Sequence, residues 1–226
     1  MDEADWQKWF EGIWAQREER VYPAFFGDLG PGIYTIPMST FASLGRADPD
    51  PRYLTHGVFE SPPTQERAEW VYVSSGMSNP WGDSPETIQA GAYSGLGFEF
   101  TMHTRERAKW AVQMLHWIMA VQLLVAAGEL SGSLLERNDR IPLGGPLGKR
   151  DGVLTHLLVG APPRVEEGGY PGEFELPSGK VEMMVLVGIT EKESEFAKTQ
   201  GAEGLVKLLM HHGVWAVTDV GRVGVV

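Results

Sequence analysis

A serine in a glycine-containing loop is the first feature of this sequence that could do chemistry. Ser78 lies in the stretch VSSGMSNPWG, two residues after Gly76 and directly behind an apolar segment. A nucleophile elbow needs glycine on both sides of the serine, because the tight turn from strand to helix leaves no room for side chains. Pro80 occupies the position of the second glycine. The pattern therefore favours a shaped turn, in which Ser78 and Asn79 bond to nearby backbone and Pro80 fixes φ.

The histidines and the glycine-rich loop match no metal or phosphate motif. None of the 6 histidines forms an HxH or HExxH pattern. The loop from Gly144 to Lys149 continues with Arg150 where a P-loop requires serine or threonine. We therefore predict no catalytic residue, no metal and no cofactor. The alternative is a small-molecule hydrolase-type enzyme with a loop site near Ser78 and Gly144, which would require a deep pocket of perturbed titratable groups.

Composition narrows the possible partners. The chain has 226 residues, 42% of them hydrophobic, no cysteine and a formal net charge of -11. Such an acidic surface repels phosphate backbones and suits a basic protein partner, so we predict no nucleic-acid binding. The acidic, amphipathic N-terminus does not resemble a signal peptide, which predicts a cytoplasmic protein. Polar residues interrupt the apolar run at residues 110–127, which favours a core helix over a membrane span.

The N-terminal residues are predicted to form a separate arm. Residues 2–20 show one helical stripe of large apolar side chains, formed by Trp6, Trp9, Phe10, Ile13 and Trp14. The following segment is rich in glycine and proline. We therefore divide the chain into a helical arm and linker at residues 1–50 and a main domain at residues 51–226. The aromatic stripe packs on the core or serves an interface, which leaves a structural or oligomerisation domain as another alternative.

The main domain alternates strands and helices. Apolar patterns predict strands at residues 54–61, 69–75, 95–102, 153–161, 180–189 and 214–219, with the strand at 180–189 central in its sheet. Thr104 is predicted to cap a helix at residues 105–127, which Gly128 ends. TEKE at residues 190–193 is a capping box for a helix to residue 211 that could break at Gly201 or Gly204. This order predicts an α+β fold, an α/β sandwich with helices packed on a mixed β-sheet.

Six segments, in this order, resemble the Suppressor of fused (SUFU) family. They are EWVYVSSGMSNPWG, GLGFEFTM, NDRIPLGGPL, VLTHLLVG, LPSGKVEMMVLVGITEKE and GVWAVTDVGR, and the resemblance covers about residues 52–226. It implies a non-enzymatic binding domain. The animal member of the family sequesters transcription factors, and its partner peptide adds as a strand. Bacterial single-domain relatives, which this chain resembles, act as immunity proteins against secreted toxins, so the expected partner is a toxin domain, and a basic one suits the acidic surface.

The resemblance also implies which residues contact a partner. A partner-contacting acid of the family matches Asp139, in ERNDRIP. Ser78, Asn79 and Trp81 are further candidates, with Trp81 as the anchor if its side chain is exposed; if Trp81 is buried, the loop is scaffold and Asp139 is the next candidate. Asp219 and Arg222 match the terminal motif of the family, where we expect an ion pair or turn contact that closes the fold.

Overall fold

One mixed sheet of eight strands forms the centre of the fold. The computed structural model describes residues 2–226. The strands are β1 (Tyr34–Thr35), β2 (Gly57–Ser61), β3 (Trp70–Ser75), β4 (Tyr93–Thr104), β5 (Arg140–Pro142), β6 (Leu154–Gly160), β7 (Glu173–Leu176) and β8 (Gly179–Thr190). Their order is β1-β2-β3-β4-β8-β6-β5, with β7 beside β8. Within this order β4 and β8 run parallel, and the other neighbours are antiparallel.

Helices cover both faces of this sheet. They are α1 (Glu3–Gln16), α2 (Tyr22–Phe26), α3 (Met38–Ser43), α4 (Lys109–Ala126), α5 (Glu191–Gln200) and α6 (Ala202–His211). A π-helical turn at Arg17–Val21 joins α1 to α2, and 3-10 turns lie at Pro51–Thr55 and Val165–Glu167. The α+β class with a mixed sheet is therefore confirmed.

The first face of the sheet packs against α4. Apolar side chains of β4 and β8 that point to this face, such as Phe100 and Leu186, share one buried cluster with Leu115 and Met119 of α4. By length and composition α4 is the helix of the described residues that could cross a membrane, and half of its 18-residue window is buried inside the fold. Because the apolar side chains of α4 pack against the sheet, α4 is the core helix that the sequence predicts.

Three separate units cover the second face. The helices α1 and α2 and the turn between them pack over β3, β7 and the first half of β8. The segment at residues 214–218 covers Val185 and Val187 in the middle of β8, and α5 and α6 cover Leu158 and Ile189. The N-terminal helices thus belong to the same packed layer as the rest of the face, while the proposed boundary at residue 50 stays a prediction.

Local signals set several element boundaries correctly. The capping box is present, since Thr190 Oγ1 accepts a hydrogen bond from Glu193 N at 3.1 Å and Glu193 Oε2 accepts one from Thr190 N at 2.7 Å. Gly201 separates α5 from α6, whereas Gly204 lies inside α6. Gly128, at φ +72°, follows the end of α4 as predicted.

Two predicted features are wrong. Thr104 does not cap α4, because it still belongs to β4 and the helix begins five residues later, at Lys109. Residues 214–219 do not form a regular strand and make a single bridge, between Val217 and His103. Ala216 adopts a left-handed conformation with φ at +66°, which interrupts the extended backbone that a strand requires.

Candidate functional site

The predicted loop at residues 76–82 lies over a buried carboxylate on β4. Glu99 is fully buried, and its Oε1 accepts hydrogen bonds from Gly76 N at 3.0 Å, Ser78 N at 2.9 Å and Ser78 Oγ at 2.7 Å. Its other carboxylate oxygen accepts from Ser74 Oγ. One side chain therefore satisfies two backbone donors of the loop and fixes the loop shape.

A buried arginine from the N-terminal arm neutralises this centre. Arg17 Nη1 lies 3.9 Å from Glu99 Oε1 and donates to Ser78 Oγ at 2.9 Å. The same nitrogen donates to Asn79 Oδ1 at 2.8 Å, and Nη2 donates to Glu18 at 2.9 Å. Arg17 is 1% exposed, and a guanidinium so far from water is stable only when it is paired and hydrogen-bonded.

The electrostatics of the centre keep its groups in fixed protonation states. Burial opposes the charge of Arg17, but neighbouring Tyr22, Glu99 and Glu18 together raise its pKa. Burial also raises the pKa of Tyr22 well above its usual range, and the Tyr22 hydroxyl donates to Ser74 O at 2.7 Å. At neutral pH the arginine is therefore charged and the tyrosine is neutral.

Ser78 has no access to a substrate. Its side chain is fully buried, its hydroxyl donates to Glu99, and its oxygen accepts from Arg17. The hydroxyl therefore already donates one hydrogen bond and accepts one within the fold, so it is not free to act as a nucleophile. Gly144, the second residue of the hydrolase alternative, lies on the exposed loop after β5. Neither residue supplies the pocket of titratable groups that an enzyme would need.

Trp81 is half-buried and packs against the aromatic side chains of α1. Its ring centroid lies 4.3 Å from that of Phe10, and Trp6 and Trp14 of the same helix are close to it at 6.4 and 6.5 Å. Trp14 Nε1 also donates to Asn79 Oδ1 at 2.9 Å. The aromatic stripe of α1 therefore covers the loop, and Trp81 and Asn79 both contact the N-terminal arm.

Asp139 lies on the surface beside the edge strand β5. Its Oδ2 accepts a hydrogen bond from Glu136 N at 2.9 Å, and Asn138 before it has φ at +79°, which together make a tight turn into β5. The carboxylate is partly exposed and forms no ion pair among residues 2–226. Of the predicted partner contacts, Asp139 and Trp81 keep partial exposure, whereas Ser78 and Asn79 are buried.

The strand after Asp139 has an unpaired edge. Val159 N donates to Asp139 O at 2.9 Å and Leu143 N donates to Thr155 O at 3.0 Å, so residues 139, 141 and 143 bond to β6. In an antiparallel ladder the intervening residues direct their backbone groups away from the partner. Arg140 and Pro142 therefore face outward, and Pro142 removes one donor from that edge.

The terminal motif residues close the fold through different partners. Arg222 makes a two-pronged ion pair with buried Glu193, at 2.7 Å to each carboxylate oxygen, and donates to Gly188 O at 2.9 Å. Asp219 pairs with Arg105 at 3.2 Å near the surface. Arg222 N also donates to Asp219 O at 3.1 Å, so the expected turn contact is present beside the ion pair of Arg222.

Arg17 and Glu99 hold the loop in place, and neither residue was predicted from the sequence. The alternation of β4 places Glu99, Thr101 and His103 on one face of the strand, and a polar face usually indicates solvent. All three side chains are buried instead, because the N-terminal helices and Tyr170 cover them. Glu99 inside an otherwise aromatic strand was the available signal, since a charge there needs a buried partner.

The described residues hold no cluster of three or more metal-ligating side chains. The fold defines an α+β domain with a buried ionic centre, an open sheet edge and an acidic chain. The sequence model of the family described as "Suppressor of fused protein (SUFU)" matches residues 52–223. The chain belongs to the Suppressor of fused family.

Curated relatives are considerably longer than this chain. The Suppressor of fused homologs of Homo sapiens and Mus musculus are each 24% identical to it over 185 residues. The match covers 79% of this chain and 37% of each relative. The chain therefore spans little more than a third of the curated relatives that it matches.

Solved structures share the fold. A chain of the Sufu-Fu complex aligns with a TM-score of 0.62 and 24% identity, covering 97% of this chain and 91% of that one. A SUFU homolog from Neisseria gonorrhoeae aligns with a TM-score of 0.61 and 17% identity, covering 97% and 98%. Drosophila Suppressor of Fused gives a TM-score of 0.56 at 24% identity, covering 75% and 42%. These alignments extend the similarity of fold to the N-terminal helices, outside the residues that the family model matches.

Proposed function

We propose that this chain is a non-enzymatic, cytoplasmic binding protein that sequesters or neutralises a protein partner at the outer edge of β5. Two features of that edge support the proposal. The backbone groups of Arg140 and Pro142 face outward, and the partly exposed carboxylate of Asp139 lies beside them. An extended segment that adds to a free edge gains backbone hydrogen bonds, while a neighbouring charge sets specificity. One of the similar solved structures is a complex of Sufu with Fu, which supports a protein as the partner.

The charge of the chain indicates the kind of partner. A formal net charge of -11 attracts a basic protein and accelerates encounter at low salt. We propose an immunity-type role in a bacterial polymorphic toxin system, in which the partner is a basic secreted toxin domain. An acidic inhibitor that occupies a basic surface blocks access of an anionic substrate to that surface.

The experiment uses the polypeptide encoded next to this gene as the candidate toxin. We expect it to bind the full chain in calorimetric titration, with a Kd that rises about tenfold or more between low and high salt. Asp139→Asn removes the charge but keeps an oxygen for the turn, and should weaken binding by about tenfold or more. Asp151→Asn removes the same charge from a different exposed loop and is the matched control.

The two variants separate the site from the overall charge. Equal weakening by Asp139→Asn and Asp151→Asn would assign the effect to net charge and contradict the β5 site. Absence of binding by the neighbouring polypeptide, under conditions where both proteins are folded, would contradict the immunity role. An unchanged Kd across the salt range would contradict a basic partner.

A further inference from the structure

An open groove of about 890 Å³ lies on the second face of the sheet. It separates α2 from the segment at residues 215–217, which are two of the units that cover this face. The loops at residues 64–69 and 163–171 contribute its remaining lining. The groove is thus a gap in the covering layer, and it lies apart from Asp139 and β5, which do not line it.

The first wall is held in place by hydrogen bonds of Arg67. Its Nη2 donates to Phe26 O at 2.9 Å, to Pro62 O at 2.9 Å and to Ser61 Oγ at 2.8 Å, and its Nη1 donates to Glu69 O. All these acceptors belong to the fold, so the guanidinium ties the loop to α2 and to β2. The wall is therefore shaped in advance, which lowers the entropy lost when a ligand binds.

The second wall is equally constrained and carries an exposed apolar residue. Gly169 N donates to Arg164 O at 2.9 Å, and a Cβ on Gly169 would lie 1.9 Å from Pro163 O, so the loop fits only with glycine there. Val165 lines the groove and is 59% exposed. Together with Phe25 and Trp215, which also line it, Val165 offers an apolar contact surface that the chain leaves partly uncovered.

The floor of the groove is polar and uncharged. Tyr170 Oη bonds to Thr101 Oγ1 at 2.5 Å and to His103 Nε2 at 3.3 Å. Burial, with a further contribution from Arg67, lowers the pKa of His103 to about 3, so the ring is neutral at physiological pH. The neutral ring therefore adds no positive charge to that of Arg67 at the floor of the groove.

The rim of the groove is acidic. Glu66, Glu69 and Glu167 line it, and their carboxylates form no ion pair among residues 2–226. Arg67 is the one lysine or arginine of the lining, and its donors already bind carbonyl and hydroxyl oxygens of the fold. Three carboxylates and one guanidinium leave the lining with a net negative charge, which together with the partly exposed apolar side chains attracts a cationic segment that also carries apolar residues.

We propose that this groove binds an extended, basic and apolar segment of a protein partner, with lysine or arginine facing the rim and an aliphatic side chain against Val165 and Phe25. The proposal rests on the proposed function for the nature of the ligand, since both require a protein partner. It adds a second contact that is separate from the β5 edge. Two separate contacts on one partner raise the affinity above that of either one alone.

The probe for this groove is a fluorescein-labelled peptide of sequence KVRLKVRS, with EVELEVES as the comparison of opposite charge. Fluorescence anisotropy with the full chain should give saturable binding of KVRLKVRS, about tenfold or more tighter than EVELEVES. The double variant Glu66→Gln/Glu167→Gln should weaken the binding about tenfold. Glu191→Gln/Glu203→Gln removes the same charge from exposed positions of α5 and α6, and should change the Kd less than about twofold. All four glutamates are exposed, so the variants keep the fold.

The results separate this groove from the β5 site. Loss of KVRLKVRS binding in Glu66→Gln/Glu167→Gln but not in Asp139→Asn or the control would support the groove. Equal weakening in the control, or no saturable binding, would overturn it. Loss in Asp139→Asn would place the peptide at β5, which overturns the groove and leaves the proposed function intact. Groove binding without binding of the neighbouring polypeptide would support the groove and contradict the immunity role alone.

Discussion

Sequence patterns predict partner contacts in two regions, the loop at residues 76–82 and Asp139 before β5, and the structure gives the two regions opposite surroundings. In the loop, Ser78 and Asn79 are buried and bond to Arg17, Glu99 or Trp14. At β5, the carboxylate of Asp139 is partly exposed and accepts a hydrogen bond from Glu136 N of its own turn. The family resemblance includes both regions, whereas burial and hydrogen bonding distinguish the loop that holds the fold from the turn that we propose as a partner contact.

The largest expected effect comes from breaking the buried centre. Arg17→Ala leaves Glu99 buried without its cation, and we expect a loss of about 3–5 kcal/mol in the free energy of unfolding. Urea denaturation followed by circular dichroism measures it. The control is Arg20→Ala, an exposed arginine three residues further on, which should cost less than about 0.5 kcal/mol. Similar losses in both variants would remove the distinction between the two regions.

The C-terminal ion pair provides a second buried comparison. Arg222→Ala leaves Glu193 without its cation, but that carboxylate keeps hydrogen bonds from Thr190 N and Val225 N. We therefore expect a loss at the lower end of the range for buried pairs, about 3 kcal/mol. Asp219→Asn breaks the exposed pair with Arg105 and should cost about 0–1 kcal/mol. Urea midpoints of the two variants give both values, and equal losses would contradict the difference in burial.

Acid should weaken the fold through its buried histidines. Burial lowers the pKa of His56 to about 4 and that of His103 to about 3, below the value of about 6.5 in the unfolded chain. The unfolded state therefore binds protons first, and stability that is complete above about pH 6.5 is lost as the pH falls. Between pH 6.5 and 4.5 we expect about 2 kcal/mol from each histidine.

Urea denaturation as a function of pH tests this dependence. Burial acts to raise the pKa of Glu193, but Arg222 and backbone donors lower it overall. Protonation of such carboxylates therefore reduces the stability mainly below the range from pH 6.5 to 4.5. His103→Gln should make the dependence shallower, while His212→Gln, at an exposed position after α6, should leave it unchanged. A flat profile between pH 6.5 and 4.5 would show that neither buried imidazole is kept neutral by the fold.

The smallest expected effect on stability is at the proposed partner edge. Asp139→Asn keeps an oxygen that accepts from Glu136 N, so the free energy of unfolding should change by less than about 0.5 kcal/mol. Thermal unfolding of the purified variant checks this. A loss comparable to that of Arg17→Ala would mean that Asp139 holds the fold in the same way as the loop residues.

Features with a local cause were predictable from the sequence. The strands β3, β4, β6 and β8 follow from apolar runs, and the start of α5 follows from the Thr190–Glu193 box. The partnership of Arg17 with Glu99 joins residues far apart in the chain, and nothing local in either segment specifies it. The strand predicted at residues 214–219 is wrong for a similar reason. Ala216 packs on β8, and the left-handed φ of Ala216 ends any strand.

The candidate site was predictable only in part. Asp139 was predicted from the family resemblance. The outward direction of the backbone groups of Arg140 and Pro142 follows from the hydrogen bonds to β6, which the composition does not specify. The groove was missed because its lining comes from four separate segments of the chain and from His103. One carboxylate of its acidic rim, Glu167, lies in the sequence on a loop rich in glycine and proline, where nothing indicates the apolar side chains that line the groove beside it.

Amide hydrogen exchange of the free protein tests the contrast between the two regions most directly. Gly76 and Ser78 donate their amides to buried Glu99, so we predict that they exchange only when the whole domain unfolds. The outward-facing amide of Arg140 should exchange within seconds, as an unpaired edge does. Rapid exchange at Gly76 and Ser78, or strong protection of Arg140 without a partner, would contradict the division between a scaffold loop and an open edge.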